Sequence, residues 1–138
     1  MYRFCSVFVP IITLFLPHFA FAGDHCVGQP GKKMQNDTLP QWAVFLEFDE
    51  TKVPLSAPFT ISFTVCSPQP KAALSVDFDA TMPAHKHGMN YQPEIVEIEG
   101  HFFEVNNLIF HMPGLWKIEI TVFDDGAPHR FTHDVNVR

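Results

Sequence analysis

From Phe59 to Cys66 the chain alternates without a break: Phe59, Ile61, Phe63 and Val65 are apolar, and Thr60, Ser62 and Thr64 between them are polar. A period of two is what a β-strand with one buried face requires, because successive side chains leave a strand on opposite sides. A helix would scatter the same four apolar residues around its circumference. The pattern recurs along the chain. Trp42, Val44, Leu46 and Phe48 share one parity; Leu74, Val76, Phe78 and Ala80 alternate with Ser75, Asp77 and Asp79; Trp116, Ile118, Ile120 and Val122 alternate with Lys117, Glu119 and Thr121. Further strand-like runs cover residues 94–99, 102–110 with a bulge expected at Asn106-Asn107, and 130–137. Turn signals separate them: Pro54 and Pro58, Pro68 and Pro70, Gly100, Pro113-Gly114, and Asp124-Asp125-Gly126, whose Asp-Gly pair is a strong hairpin cue. Residues 82–93 lack the alternation and read as a loop. With no helical periodicity of useful length, about seven short strands predict an all-β chain, a single immunoglobulin-like antiparallel β-sandwich.

The N-terminus has a different character. One positive charge in Met1-Tyr2-Arg3 precedes an apolar stretch broken only by Ser6, Thr13 and His18, which closes on Ala20-Phe21-Ala22. That is the layout of a secretory signal peptide. A run of this length could nearly span a bilayer, but Pro10, Pro17 and the small residues Ala20 and Ala22 favour cleavage after Ala22 over a retained anchor. The residues between Phe21 and Cys26 are too aromatic and charged for a lipoprotein signal. The expected organisation is a signal peptide over 1–22, an irregular leader over 23–38 and one β-sandwich domain over 39–138, exported to the periplasm with no membrane span in the mature chain. Cleavage removes Arg3 and no acid, so a net charge of −6 becomes −7. Such an acidic chain is a poor surface for nucleic acid or anionic lipid, which need clustered Lys and Arg.

Cys5 leaves with the signal and Cys26 and Cys66 remain, an even pair in an oxidising compartment. They are expected to form a disulfide that ties the N-terminal tail to the sheet. The alternation puts Cys66 on the outer face of its strand.

Two short clusters carry the candidate chemistry. Met82-Pro83-Ala84-His85-Lys86-His87-Gly88-Met89 holds two imidazoles and two thioethers, and Phe110-His111-Met112-Pro113-Gly114 adds one of each. These donors suit copper better than calcium or magnesium, which take oxygen ligands. Where free thiolates do not persist, thioether and imidazole are the remaining soft ligands for Cu(I). His85 and His87 are two apart, so in an extended segment both project to one side, and Gly88 lets the chain bend to bring Met89 near. A site is expected to use His85, His87, one of Met82 or Met89, and one of His111 or Met112. Methionine is also a common filler of core gaps, and for Met82 and Met112 packing is the stronger expectation. His101, His129 and His133 are scattered; His133 shares parity with Phe131, Val135 and Val137 and reads as a partly buried, hydrogen-bonded residue. A His25 site using the freed amine rests on one residue only.

Enzymatic signatures are missing. The chain has no Gly-x-Ser-x-Gly elbow, no His-Glu-x-x-His and no phosphate-cradling glycine loop. Asp77 and Asp79 read as a solvated strand face. The expectation is a binding protein, not an enzyme.

The Met-Pro-Ala-His-Lys-His-Gly-Met segment, a glycine before Phe102-Phe103 and the closing Phe110-His111-Met112-Pro113-Gly114-Leu115-Trp116-Lys117-Ile118 resemble the YtkA-like/FixH-like group of exported or membrane-tethered β-sandwich domains. The shared features are a Met-Pro-x-His-x-His segment and a Met-Pro-Gly-x-Trp turn, covering about half of residues 23–138 by motif. The resemblance implies an immunoglobulin-like fold and copper handling or assembly of copper-containing membrane oxidases. It carries over His85, His87, Met82 and Met112, with Gly114 and Trp116 in structural roles. Unlike FixH-like members, this chain has no retained membrane helix after its signal, which favours a soluble carrier. The functional expectation is a periplasmic Cu(I) carrier or chaperone that exchanges copper with a protein partner. Zinc, bound by His85, His87 and His111, is the alternative ion. A metal-independent interaction module, with residues 82–93 contacting a partner, is the alternative function.

Overall fold

The computed structural model describes residues 26, 28–36, 41–68 and 74–138. The expected signal peptide, its cleavage site, His25 and part of the leader lie outside the described residues. Nine strands are described: β1 (Lys32–Lys33), β2 (Ala43–Glu47), β3 (Phe59–Cys66), β4 (Ser75–Met82), β5 (His87–Gly88), β6 (Glu94–Glu99), β7 (Phe102–Leu108), β8 (Gly114–Asp124) and β9 (Ala127–Val137). They form two antiparallel sheets, ordered β1-β2-β3-β7-β6 and β5-β4-β8-β9. The seven longer strands coincide with the seven alternating runs. The two extra strands are two-residue pairings too short to leave a pattern in the sequence.

The inward parity of each strand builds the core between the sheets. Val44, Phe63, Val65, Ala80, Val105, Trp116, Ile118, Ile120 and Val122 are fully excluded from solvent. Phe63 stacks on Phe103 with ring centres 5.1 Å apart, and Phe110 stacks on Trp116 at 4.6 Å. Burial at this density is the main source of stability for a domain of this size.

Local chemistry accounts for the irregularities. The β8–β9 hairpin turns at Asp125 (φ 49°) and Gly126 (φ 85°), the paired positive φ values that an Asp-Gly turn supplies. Opposite β7, Phe59 pairs with Leu108 but Ile61 with Val105, so β7 holds one extra residue. It lies where Asn106-Asn107 predicted a bulge, and Asn107 has φ 59°. A second register shift on β6 falls between Glu97 and Glu99.

The leader differs from its expected irregularity. Lys32 and Lys33 pair with Leu46 and Phe45 of β2; two residues on, Gln35 exchanges backbone hydrogen bonds with Thr132 of β9. Met34 between them is buried. This short segment therefore stitches one sheet to the other along one side of the sandwich. Cys26 is bonded to Cys66 with Cα atoms 5.6 Å apart. Cys66 sits on the outward parity yet is buried.

Candidate functional site

Two stretches of chain cross between the sheets at one end of the sandwich. Residues 89–93 leave β5 for β6, and residues 109–113 leave β7 for β8. Residues in a crossover lie outside the long ladders, so their side chains are free to face solvent. His111 and Met112 fall on the second crossover and Met89 on the first, while His85 and His87 lie on the β4–β5 hairpin just before it.

The segment expected to be a loop is a tight hairpin. His87 pairs with Met82 and Gly88 with Thr81, and the turn is closed by the amide of His85 donating to the Met82 carbonyl at 3.1 Å. Lys86 takes φ 52° at its apex. The return strand is only two residues long and exposed, so it needs no apolar alternation. Its geometry brings the His85 and His87 rings nearly parallel, with centres 6.3 Å apart.

The second crossover supplies the third imidazole. His111 lies 6.5 Å from His87 between ring centres and packs edge-on against Trp116 at 5.4 Å. Three rings thus form a chain whose far end rests on a fully buried indole. His85, His87 and His111 are exposed, while Met89 and Met112 are partly buried against the core. Met82 is 1% exposed and belongs to the core. A β-carbon at Gly114 would stand 2.9 Å from its Cε, so the Met-Pro-Gly turn fits closely against this methionine. Of the six candidate ligands, five border the crossovers with some accessibility and one is packing.

Sequence reasoning passed over the residues that hold the crossovers together. The Tyr91 hydroxyl accepts from the amide of Ile109 and donates to the Ile109 carbonyl, joining one crossover to the other. Trp116 Nε1 donates to the Met112 carbonyl at 2.9 Å. Ser56, with φ 58°, donates its amide to the Phe110 carbonyl at 2.8 Å. A lone Tyr in a polar stretch gives no signal of its partner, which lies eighteen residues away in sequence.

Among the described residues, no group of three or more His, Cys, Asp or Glu side chains is gathered closely enough to hold a metal ion. Imidazole nitrogens bind zinc at about 2.0–2.1 Å, which puts ring centres about 3.2 Å from the ion and about 5.2 Å from one another at tetrahedral angles. Separations of 6.3 and 6.5 Å are therefore about 1 Å too open for a shared tetrahedral ion. They are close to the spacing of two rings on opposite sides of one ion, about 6.4 Å by the same bond length.

The remaining described histidines stand elsewhere. His101 is buried at the β6–β7 turn, and His129 lies against Trp42. His133 Nε2 donates to Glu50 Oε1 at 2.7 Å, the same oxygen that takes Lys32 Nζ at 2.7 Å. Burial pushes the Glu50 carboxyl up, but the bonds from Lys32 and His133 outweigh it and hold it below the usual range. Beside Glu50 is a cavity of about 290 Å³ lined by Glu50, Thr51, Val53, Asn136 and Arg138. None of these five is a candidate ligand.

No family model matches the chain, and no curated protein matches it in sequence. The chain is similar in structure to a DUF4426 family protein from Pseudomonas aeruginosa, known from a crystal structure. The TM-score is 0.51 at 13% identity, covering 75% of this chain and 94% of that one. At that identity the likeness extends to the fold alone. No helix among the described residues is long and apolar enough to cross a membrane.

Proposed function

We propose that this is an exported, periplasmic copper-binding protein that holds Cu(I) at the crossover end of the sandwich through His85, His87 and Met89, with His111 or Met112 as the fourth donor. In this reading residues 1–22 are a signal peptide, and the motif likeness to the YtkA-like/FixH-like group reflects shared chemistry. The observation that carries it is the chain of three imidazoles at 6.3 and 6.5 Å, drawn from the β4–β5 hairpin and the β7–β8 crossover, with the partly buried Met89 and Met112 close to them in sequence. Such neutral, soft donors suit Cu(I), a d¹⁰ ion that accepts two, three or four ligands, better than hard cations. The segments around the rings, residues 80–93 and 105–118, contain no Asp or Glu, whereas calcium and magnesium sites are built on carboxylates. Thioethers are not among zinc's usual donors, which weighs against zinc. Capture of one ion by all three rings requires both ring spacings to close by about 1 Å, a rearrangement of exposed side chains on a short turn.

Titrated against a chromogenic Cu(I) chelator, the protein without residues 1–22 should take up about one Cu(I), as one cluster of soft donors allows. His85→Ala/His87→Ala should abolish this uptake, Met89→Leu should weaken it, and Met82→Leu should leave it unchanged because Met82 is buried. X-ray absorption should detect sulfur in the first shell. Normal uptake by the double histidine variant would overturn the proposal, and all-nitrogen coordination with tight zinc binding would replace copper with zinc. The openness of the imidazole chain favours one other reading, a metal-independent interaction module; an interaction partner recovered equally well with and without chelator would support it.

A further inference from the structure

We infer that Asp77 and Asp79 guard the free edge of β4: their carboxylates occupy the amides that would otherwise pair this strand with β4 of a second copy of the chain. The guard is independent of the copper reading.

Two open sheets have four edges, and an edge strand offers its amides and carbonyls to any strand that approaches. Three of the four edges are shortened, broken or covered. β1 is two residues long. β6 shifts register between Glu97 and Glu99 and carries the exposed Glu94, Glu97 and Glu99. β9 is crossed by the leader, where Gln35 exchanges backbone hydrogen bonds with Thr132 and Asn36 Nδ2 donates to the Arg130 carbonyl at 2.8 Å. At the fourth edge β5 pairs only with Thr81 and Met82. Residues 75–80 of β4 keep an unbroken register with β8 on one side. On the other side no strand pairs with them among the described residues.

One bond fixes which backbone groups face that edge. The Ala80 carbonyl accepts from the Met89 amide at 3.2 Å, so the polar groups of Ala80 point away from β8. Backbone groups alternate in direction along a strand, and those of Phe78 therefore point the same way. Both amides are taken from within β4. Phe78 N donates to Asp77 Oδ1 at 2.9 Å, and Ala80 N donates to Asp79 Oδ1 at 2.8 Å. Aspartate is short enough to reach a neighbouring amide, and its charge strengthens the bond.

The two aspartates stand on the exposed outer face that their alternation predicts, but they are more than solvated surface. Asp79 lies directly opposite Glu119 of β8, a like-charge pair that would repel. Glu119 is paired with Arg130 at 3.3 Å, while Asp79 turns to its own strand's edge. Phe78 and Ala80 are buried, which holds their amides at the edge, so an incoming strand must displace the carboxylates. A second copy pairing antiparallel about Phe78 would break the two caps in each chain. It would also set Asp77 against the other copy's Asp79 twice, with β-carbons about 5 Å apart. Without the aspartates, the same two-fold pairing is self-complementary.

Sedimentation equilibrium over a rising concentration series, with Asp77→Ala/Asp79→Ala and Asp77→Asn/Asp79→Asn beside the wild type, tests the guard. The two variants carry the same net charge, but only the Asn side chain keeps an oxygen that can accept from the next amide. Wild type and the Asn variant should stay monomeric, and the Ala variant should rise about twofold in mass. Hydrogen exchange at the Phe78 amide should be about tenfold faster in the dilute Ala variant than in the wild type, and should slow again as concentration rises. An Ala variant that stays monomeric, or Ala and Asn variants that associate alike, would overturn the inference. Association without concentration-dependent protection at Phe78 would place the contact on another surface and also overturn it. If the Ala double variant does not fold, Asp77→Ala takes its place in both measurements. Exchange at Phe78 in the wild type as fast as in an unstructured chain refutes the cap by itself.

Discussion

Gly114→Ala probes the joint between the core and the crossover that carries His111 and Met112. Gly114 has φ +129°, a conformation that costs an L-residue about 1–3 kcal/mol. The new methyl would also meet Met82 Cε at 2.9 Å. Met82 is 1% exposed, so it has no empty space to retreat into, and pushing it off its rotamer costs about 0.5–1.5 kcal/mol. Against these terms, alanine lowers the entropy of the unfolded chain and returns about 0.4–1 kcal/mol. The net expectation is a loss of about 2 kcal/mol. With a urea slope of about 1.5 kcal/mol/M for a domain of this size, the midpoint should fall by about 1.3 M at unchanged slope. A double-mutant cycle separates the two causes. In a Met82→Ala background the contact is gone, and Gly114→Ala should cost about 1 kcal/mol less than it does alone. A Gly114→Ala variant within about 0.5 kcal/mol of wild type would show that the backbone is not held at this φ. An equal cost in both backgrounds would remove the methionine contact from the account.

The disulfide joins residues 40 apart, and by the chain-entropy relation its loss should cost about 4 kcal/mol. Cys26→Ser should therefore lower the melting temperature by about 15 °C, and a drop under about 3 °C would mean that the tail contributes little. Glu50 titrates below its unfolded value of 4.5 because Lys32 and His133 bond to it. Its contribution is thus fully present above pH 4.5 and fades as pH falls through its lower folded value. Glu50→Gln should be less stable at neutral pH and show a flatter acid limb in pH-dependent urea melts; an unchanged acid limb would argue against the tie. Tyr91→Phe removes the hydroxyl that accepts from the Ile109 amide, at a cost of about 1 kcal/mol. Hydrogen exchange at that amide should accelerate, and unchanged exchange would show that the two crossovers are joined by other contacts.

The fold was legible because alternation is redundant. β3 and β8 repeat their inward parity three or four times, so Ile61, Phe63 and Val65, or Trp116, Ile118, Ile120 and Val122, specify a face without reference to any partner. The bulge at Asn106-Asn107 was legible for a different reason, since asparagine tolerates the φ of 59° that Asn107 adopts. The two-residue strands were not. Lys32–Lys33 and His87–Gly88 are exposed pairings held by backbone hydrogen bonds, and backbone bonds leave no trace in side-chain pattern. The candidate site was half legible. That Met82 packs in the core followed from its place at a strand end, whereas the His85 and His87 rings come together across a tight turn with Lys86 at φ 52°, not along the extended segment their spacing suggested. That His111 comes within 6.5 Å of His87 depends on two crossovers meeting at one end of the sandwich. So do the Tyr91–Ile109 hydrogen bonds and the setting of Leu55 beside Phe110. These are consequences of topology, which a single sequence states only indirectly.

That topology also separates stability from chemistry. Phe110, Trp116 and Ile118 are fully buried, and truncating any of them to alanine should cost about 2–5 kcal/mol. His85, His87 and His111, at the same end of the sandwich, are exposed, and exposed substitutions usually change stability by no more than about 0.5 kcal/mol. Ligands on the rim of a rigid end can therefore vary with little effect on folding, while the backbone beneath them stays fixed by Tyr91, Ser56 and the indole of Trp116. The same exposure limits how tightly an ion can be held, because water and competing donors reach it freely. A buried, closed cage of the same donors would bind more tightly and release more slowly. On the copper reading proposed above, an open imidazole chain braced on a buried indole would favour exchange over storage, the property a carrier needs and a permanent cofactor site does not.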